Sequence, residues 1–135
     1  MSTSAAIPSV TEASTKPKTG ALTMQIILRR DLLEVEKWPI GPLIAQGSHA
    51  ATALMHLFRE HQAMKDYVED WKHMRKAVLQ TPTEESMKNL SQALSNAVPP
   101  IEHHLNFPTA LAIVPNKREK RLKKILDSHQ VELWK

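Results

Sequence analysis

The chain is 135 residues long, 41% hydrophobic and 24% charged, which is apolar material for one compact domain and too little for two. It has no cysteine, so a disulfide framework, a thiolate metal site, an iron-sulfur cluster and a cysteine nucleophile are excluded together. Eighteen Lys and Arg against 14 Asp and Glu give a formal charge of +4, a mild excess that favours a polyanionic partner without requiring one.

No apolar run approaches the roughly 20 residues of a membrane span, and no positive start leads into a secretory apolar core. The expectation is a soluble protein of the cytoplasm, with the mitochondrion as the other compartment, and no membrane partner. Residues 1–20 hold eight Ser or Thr, two Pro, one Gly, two Lys and one acid with no apolar period, so they read as a disordered tail ahead of one domain over 21–135. Leu22 to Leu28, LTMQIIL, suits a central strand ending at Arg29 and Arg30. Asp31 to Ile40 reads as a loop, and Gly41 and Pro42 open a helix, where the missing proline donor is harmless. At 100° per residue Leu43, Gly47, Ala50, Ala51, Leu54, Leu57 and Phe58 share one face, with Ala45, Ser48, His49, Thr52 and His56 opposite. The small residues on the inner face would bring this helix close to a sheet.

A second helix is expected from Gln62 to Met74, where Met64, Tyr67, Val68, Trp71 and Met74 recur at helical spacing, followed by a short strand at Ala77 to Leu79. Thr81-Pro82-Thr83-Glu84 reads as a capping box with proline at the first helical position, and the third helix buries Met87, Leu90 and Leu94 before Pro99 and Pro100 stop it. Residues 101–107 fit neither pattern, while Thr109 to Val114 reads as a strand; Pro108 alone separates them, too little for a normal hairpin. Asn116 and Glu119 open a fourth helix with Leu122, Ile125 and Leu126 inward, and Val131 to Trp134 is an edge strand. These elements make an α/β domain of three layers, α/β/α, with a mixed sheet of about four strands. Function in such sheets gathers beyond the carboxyl ends of the strands, here Arg29 to Gly41 and the start of the first helix.

That region carries Arg30-Asp31-Leu32 and then Trp38-Pro39-Ile40-Gly41-Pro42-Leu43-Ile44-Ala45-Gln46-Gly47-Ser48-His49-Ala50-Ala51-Thr52-Ala53. The pattern resembles the type 2 peptidyl-tRNA hydrolases, in which a strand ends in a basic residue and Asp-Leu, and the helix after the loop carries Ala-Gln, a small residue, Ser or Cys, then His-Ala. Trp-Pro and His-Ala-Ala-Thr-Ala are similar to the small eukaryotic branch of that family, the peptidyl-tRNA hydrolase domain-containing proteins. The resemblance covers about 110 residues, from Leu22 to Trp134. It implies hydrolysis of the ester between a peptidyl group and the terminal ribose of tRNA, with no metal or organic cofactor. The sequence departs from the family at two points. The family's Met-Gly-Lys-Gly-Lys loop corresponds here to Glu36-Lys37-Trp38-Pro39-Ile40-Gly41-Pro42, and its acid-and-threonine connection corresponds to Asn106-Phe107-Pro108-Thr109, where Thr109 is the remnant.

Ester hydrolysis needs an activated water, donors for the oxyanion and cations for RNA. His49 is the titrating group suited to accept a proton, or else a hydrogen-bonded helix residue. Ser48 diverges from His49 by 100°, so it orients water rather than forming a Ser-His couple. Gln46 positions a carbonyl or caps the loop. Lys37 is the nearby ammonium, and Asp31 orients a base or pairs with Arg30. Six cations fall in the eight residues from Lys117 to Lys124. Of these, Lys117, Lys120, Arg121 and Lys124 form a solvated face or, together with Arg29, Arg30, Arg75 and Lys76, track tRNA phosphates, and Trp38 either stacks on the terminal adenine or packs against the sheet edge. His103 and His104 point to opposite sides of a strand and make no metal site with a third ligand. Two functions stay open: a peptidyl-tRNA hydrolase, compatible with a homodimer, and a non-catalytic RNA- or protein-binding module that lost the lysine loop.

Overall fold

The structure, a computed structural model, describes residues 22–135; the tail expected over 1–20 lies outside the described residues. Strand β1 (Thr23–Arg29) is buried along all seven residues, as happens when both faces of a central strand are covered. Its alternation sorts two cores. Met24, Ile26 and Leu28 pack with Leu43, Ala50 and Leu54 on one face, and Ile27 packs with Met87, Leu90 and Leu94 on the other. β1 pairs in parallel with β2 (Arg75–Thr81) and antiparallel with β4 (Ala110–Ile113); β3 (His103–Asn106) and β5 (Glu132–Leu133) complete the order β3-β4-β1-β2-β5. The domain is therefore α/β with a mixed sheet of five strands.

The strand beyond the expected four is β3. His103-His104-Leu105-Asn106 has no apolar alternation, and each residue is half-buried. Its partner β4 fixes it: both strands yield their end residues to the turn Phe107-Pro108-Thr109, closed by the Thr109 amide donating to the Asn106 carbonyl at 2.9 Å. A three-residue hairpin thus replaces the impossible one-residue connection. The loop expected after β1 begins instead as helix α1 (Arg30–Glu34), too short to show a period, anchored by buried Leu32 and the Arg30–Glu34 pair at 3.0 Å.

Helix α2 (Ile40–Leu57) buries Leu43, Gly47, Ala50, Ala51 and Leu54, in the expected phase. Leu57 is 56% exposed, because the final turn projects past the packed layer that ends at Leu54. A Cβ at Gly47 would lie 3.4 Å from Ile26 and Leu28, so the helix sits close on β1. Helix α3 (Gln62–Glu69) is shorter than expected: it ends at Asp70 and gives way to a 3₁₀ turn at Trp71–His73, which leaves Trp71 exposed. The His61 imidazole caps α3 by accepting from the Ala63 amide at 3.1 Å. Helix α4 (Glu84–Asn96) is capped by Thr83, whose hydroxyl accepts from the Ser86 amide at 3.1 Å, so Pro82 precedes the cap instead of opening the helix. Helix α5 (Lys120–Ser128) buries Leu122 beneath a cationic outer face. Helices α2 and α3 cover one sheet face, α4 and α5 the other.

Candidate active site

One edge of the sheet gathers the carboxyl ends of β1 and β2 and the β3–β4 turn, since Arg29 pairs with Thr81 and Leu28 with Ala110. Three elements hold the turn there. From α2, the Gln46 side-chain carbonyl accepts from the Thr109 hydroxyl at 2.8 Å and from the Asn106 amide at 3.0 Å. From β1, the buried Arg29 guanidinium makes a bidentate pair with Asp31 at 3.0 and 2.8 Å, and its Nη1 donates to the Pro108 carbonyl at 3.2 Å and to Glu84 at 3.4 Å. The hydrogen bond to Asp31 holds Arg29 above the ordinary guanidinium value against the burial that opposes it, so its charge is permanent. From α4, the Lys88 ammonium lies 5.9 Å from the centroid of the exposed Phe107 ring.

With both acceptor positions of its carbonyl used, the Gln46 amide leaves its two N–H donors without a partner among the described residues. Pro42 and His49 occupy the same flank of α2, one turn before and one turn after Gln46, and His49 is exposed. Ser48 does not join them: two residues on from Gln46, its side chain leaves the helix about 160° away. Strand β3 adds His104, which faces the α2 layer because its register partner Ala112 packs there. Burial, then the charges of His49 and His103, keep His104 below the usual imidazole value. His103 points the other way. Its Nδ1–H donates to the Ile101 carbonyl at 2.9 Å, its Nε2 meets Ser91 at 2.7 Å, and burial lowers its pKa against that carbonyl's pull.

The structure therefore brings Gln46, Thr109 and His49 together and separates the remaining candidates. Asp31 is occupied by Arg29 rather than by Arg30. Arg29 is buried, with its guanidinium committed to Asp31, Glu84 and the Pro108 carbonyl. Arg30 pairs with Glu34 and stacks 4.5 Å over the Trp134 ring. Lys37 is exposed in a left-handed conformation, φ 61°, between α1 and α2. Trp38 is partly buried and packs against the core cluster that includes Leu43 and Leu54. Arg75 and Lys76 open β2 at the opposite sheet edge, about 20 Å from Thr81 along the strand. Lys117 and Lys120 belong to that far edge too, because the adjoining Asn116 pairs with Thr23. Arg121, whose Nη1 donates to the Pro99 carbonyl at 2.7 Å, and exposed Lys124 follow on α5. Three residues at the turn escaped the sequence reading: Asn106, whose only signal was its place beside Thr109; Lys88, one turn after Glu84 on α4; and His104, weighed there only as a metal ligand.

The family model for "Peptidyl-tRNA hydrolase PTH2" matches residues 22–130. The chain is 36% identical over 106 residues to the human protein named "Putative peptidyl-tRNA hydrolase PTRHD1", covering 73% of this chain and 74% of that one. A mouse protein of the same name matches with the same identity and coverage. The helix that carries Gln46 and His49 and the turn that carries Thr109 both fall inside the matched region, and the chain belongs to the PTH2 peptidyl-tRNA hydrolase family.

Proposed function

We propose that the chain hydrolyses the ester of peptidyl-tRNA at the β3–β4 turn, with Gln46 as the oxyanion donor and His49 as the group that takes a proton from water. The observation that carries this reading is the Gln46 amide: Thr109 and Asn106 fix its carbonyl and leave its N–H donors turned to an unfilled role beside an exposed imidazole. Water loses its proton to His49 as its oxygen attacks the ester carbonyl; the Gln46 N–H groups bind the developing oxyanion; collapse expels the ribose oxygen, which takes a proton back. Lys88 gives this edge a cation for the phosphate next to the terminal ribose, in place of the family's loop lysines.

A second reading, a non-catalytic module for tRNA or protein, is favoured by Pro42. It stands on the Gln46 flank one turn earlier, so α2 offers no ammonium there. Release of peptide from N-blocked aminoacyl-tRNA under single-turnover conditions decides between them. Hydrolysis predicts cleavage by the wild type and a loss on the order of a hundredfold or more in His49→Ala with tRNA affinity nearly unchanged. Salt-dependent binding without cleavage by the wild type would establish the binding module instead.

A further inference from the structure

The outer edge of β2 is covered along only part of its length. β5 pairs with Leu79 and Gln80, and the Trp134 amide donates to the Val78 carbonyl at 3.0 Å, so no strand lies against residues 75–77 on that side among the described residues. Backbone groups of successive strand residues point to alternate edges, and Lys76, two residues before Val78, turns its N–H and C=O to this open side. Beside the stretch, on the face shared with α5, runs a groove of about 470 Å³. Its apolar walls are Ala77 and Leu79 of β2, Leu122 and Leu126 of α5, Val131, and Leu133, which is 65% exposed. The buried Gln25 amide also lines it, engaged by Asn116 through hydrogen bonds at 2.7 and 3.3 Å. Three acids stand at the rim, each paired: Glu119 with Arg121 at 3.7 Å, Asp127 with Lys123 at 2.8 Å and Glu132 with Lys135 at 3.7 Å. Arg118, at the same rim, has no carboxylate within ion-pair distance among the described residues, and neither have Lys117, Lys120, Arg75 and Lys76. Thr23 pairs with both Asn116 and Arg75, so the basic approach to α5 and the basic start of β2 lie at one end of the sheet.

We infer that this edge takes an extended acidic peptide of a protein partner as an added strand of the sheet. The peptide backbone pairs with Lys76 and continues the ladder where β5 leaves off. Side chains at every second position enter the groove, which suits aliphatic residues. The acids between them fall on the opposite face beside the exposed Lys76 ammonium, and one at the peptide's end meets Arg118 and Arg75. Charge complementarity selects the partner: every acid of the rim is already paired and five cations nearby are not. A nucleic acid has no peptide backbone to continue the ladder, and the groove offers it aliphatic walls in place of rings. The inference goes beyond ester hydrolysis and holds whether or not the chain cleaves peptidyl-tRNA.

The test is fluorescence anisotropy of a short labelled peptide alternating Glu with Val, titrated with the full chain. The wild type binds it, less tightly as salt rises. Arg118→Glu and Leu133→Asp change exposed side chains, and equal melting temperatures would show that both variants fold. Arg118→Glu weakens binding by roughly fivefold, and Leu133→Asp by roughly tenfold. The same peptide N-methylated along its backbone cannot donate to the ladder and binds about tenfold more weakly. A single-stranded RNA oligonucleotide competes poorly. No binding by the wild type at about 1 mM peptide, wild-type affinity in either variant, or equal affinity for the methylated peptide would overturn the added strand. RNA that competes as well as the peptide would overturn it too and assign the basic rim to nucleic acid.

Discussion

Replacing Arg29 by methionine should be the most costly single change at the candidate site. The guanidinium and the Asp31 carboxylate are 9% and 18% exposed and joined by two short hydrogen bonds, so removing one charge strands the other where water solvates it poorly. Breaking such a buried pair costs about 3–5 kcal/mol. The Pro108 carbonyl also loses a donor, worth about 1 kcal/mol, whereas the contact to the half-exposed Glu84 at 3.4 Å adds little. For a domain of this size, a loss of that order lowers the melting temperature by at least about 10 °C. Urea denaturation and thermal melts of three variants separate the terms. Arg29→Met shows the full loss; Arg29→Lys, which keeps the charge and loses the fork, falls between it and the wild type. Arg29→Met with Asp31→Leu recovers most of the stability, because no charge is left buried alone. Arg29→Met within about 1 kcal/mol of the wild type would refute the reasoning, since the pair would then be no more than a surface ion pair.

Gly47→Ala should raise stability by about 0.5–1 kcal/mol, because the new methyl meets Ile26 and Leu28 at an ordinary 3.4 Å and a helix-interior glycine loses its excess backbone freedom; Gly47→Leu should cost about 1–3 kcal/mol by overpacking the same space, and urea midpoints check both. Burial lowers His103, so the unfolded chain binds more protons than the folded one below its ordinary value of 6.5. The melting temperature should therefore fall as pH drops from about 7.5 to about 5.5, and less steeply in His103→Gln; identical slopes would remove His103 from the acid response. Thr83→Ala takes away the cap of α4 and should cost about 1 kcal/mol, with faster amide exchange confined to the turn that carries Glu84 and Lys88.

The parts of this molecule that were legible in its sequence are those where burial imposes a period. β1 shows itself by the apolar residues Met24, Ile26, Ile27 and Leu28, which cover both its faces, and α2 declares itself by Leu43, Gly47, Ala50, Ala51 and Leu54. The strand β3 was not legible, because a half-buried edge strand carrying two histidines and an asparagine has no pattern apart from its partner, and β5 has only two residues. Helix α1 lacks a side-chain cap and a full second turn.

The same division holds at the site. Gln46 and His49 could be singled out from one helix, but the groups that give Gln46 its orientation, Asn106 and Thr109, lie 60 and 63 residues away and meet it only through the hairpin. Charge was the least reliable guide. The run from Lys117 to Lys124 stands out in the sequence, yet it begins beside the start of β1 rather than at the edge that carries Gln46. Lys88, inconspicuous in the sequence, is delivered to the turn by the helix that follows β2. Arg29 reads as a phosphate ligand from its position after the strand, while in the fold its guanidinium is spent on Asp31 and the Pro108 carbonyl.

The central claim, that the free N–H donors of Gln46 stabilise the oxyanion, is tested most directly by Gln46→Glu. The carboxylate keeps the size of the side chain and still accepts from Thr109 and Asn106, so the turn is preserved, but it presents no donor to the substrate. Single-turnover release of peptide from N-blocked aminoacyl-tRNA should fall by roughly a hundred- to a thousandfold with the melting temperature close to that of the wild type. A variant that folds normally and cleaves at the wild-type rate would contradict the account.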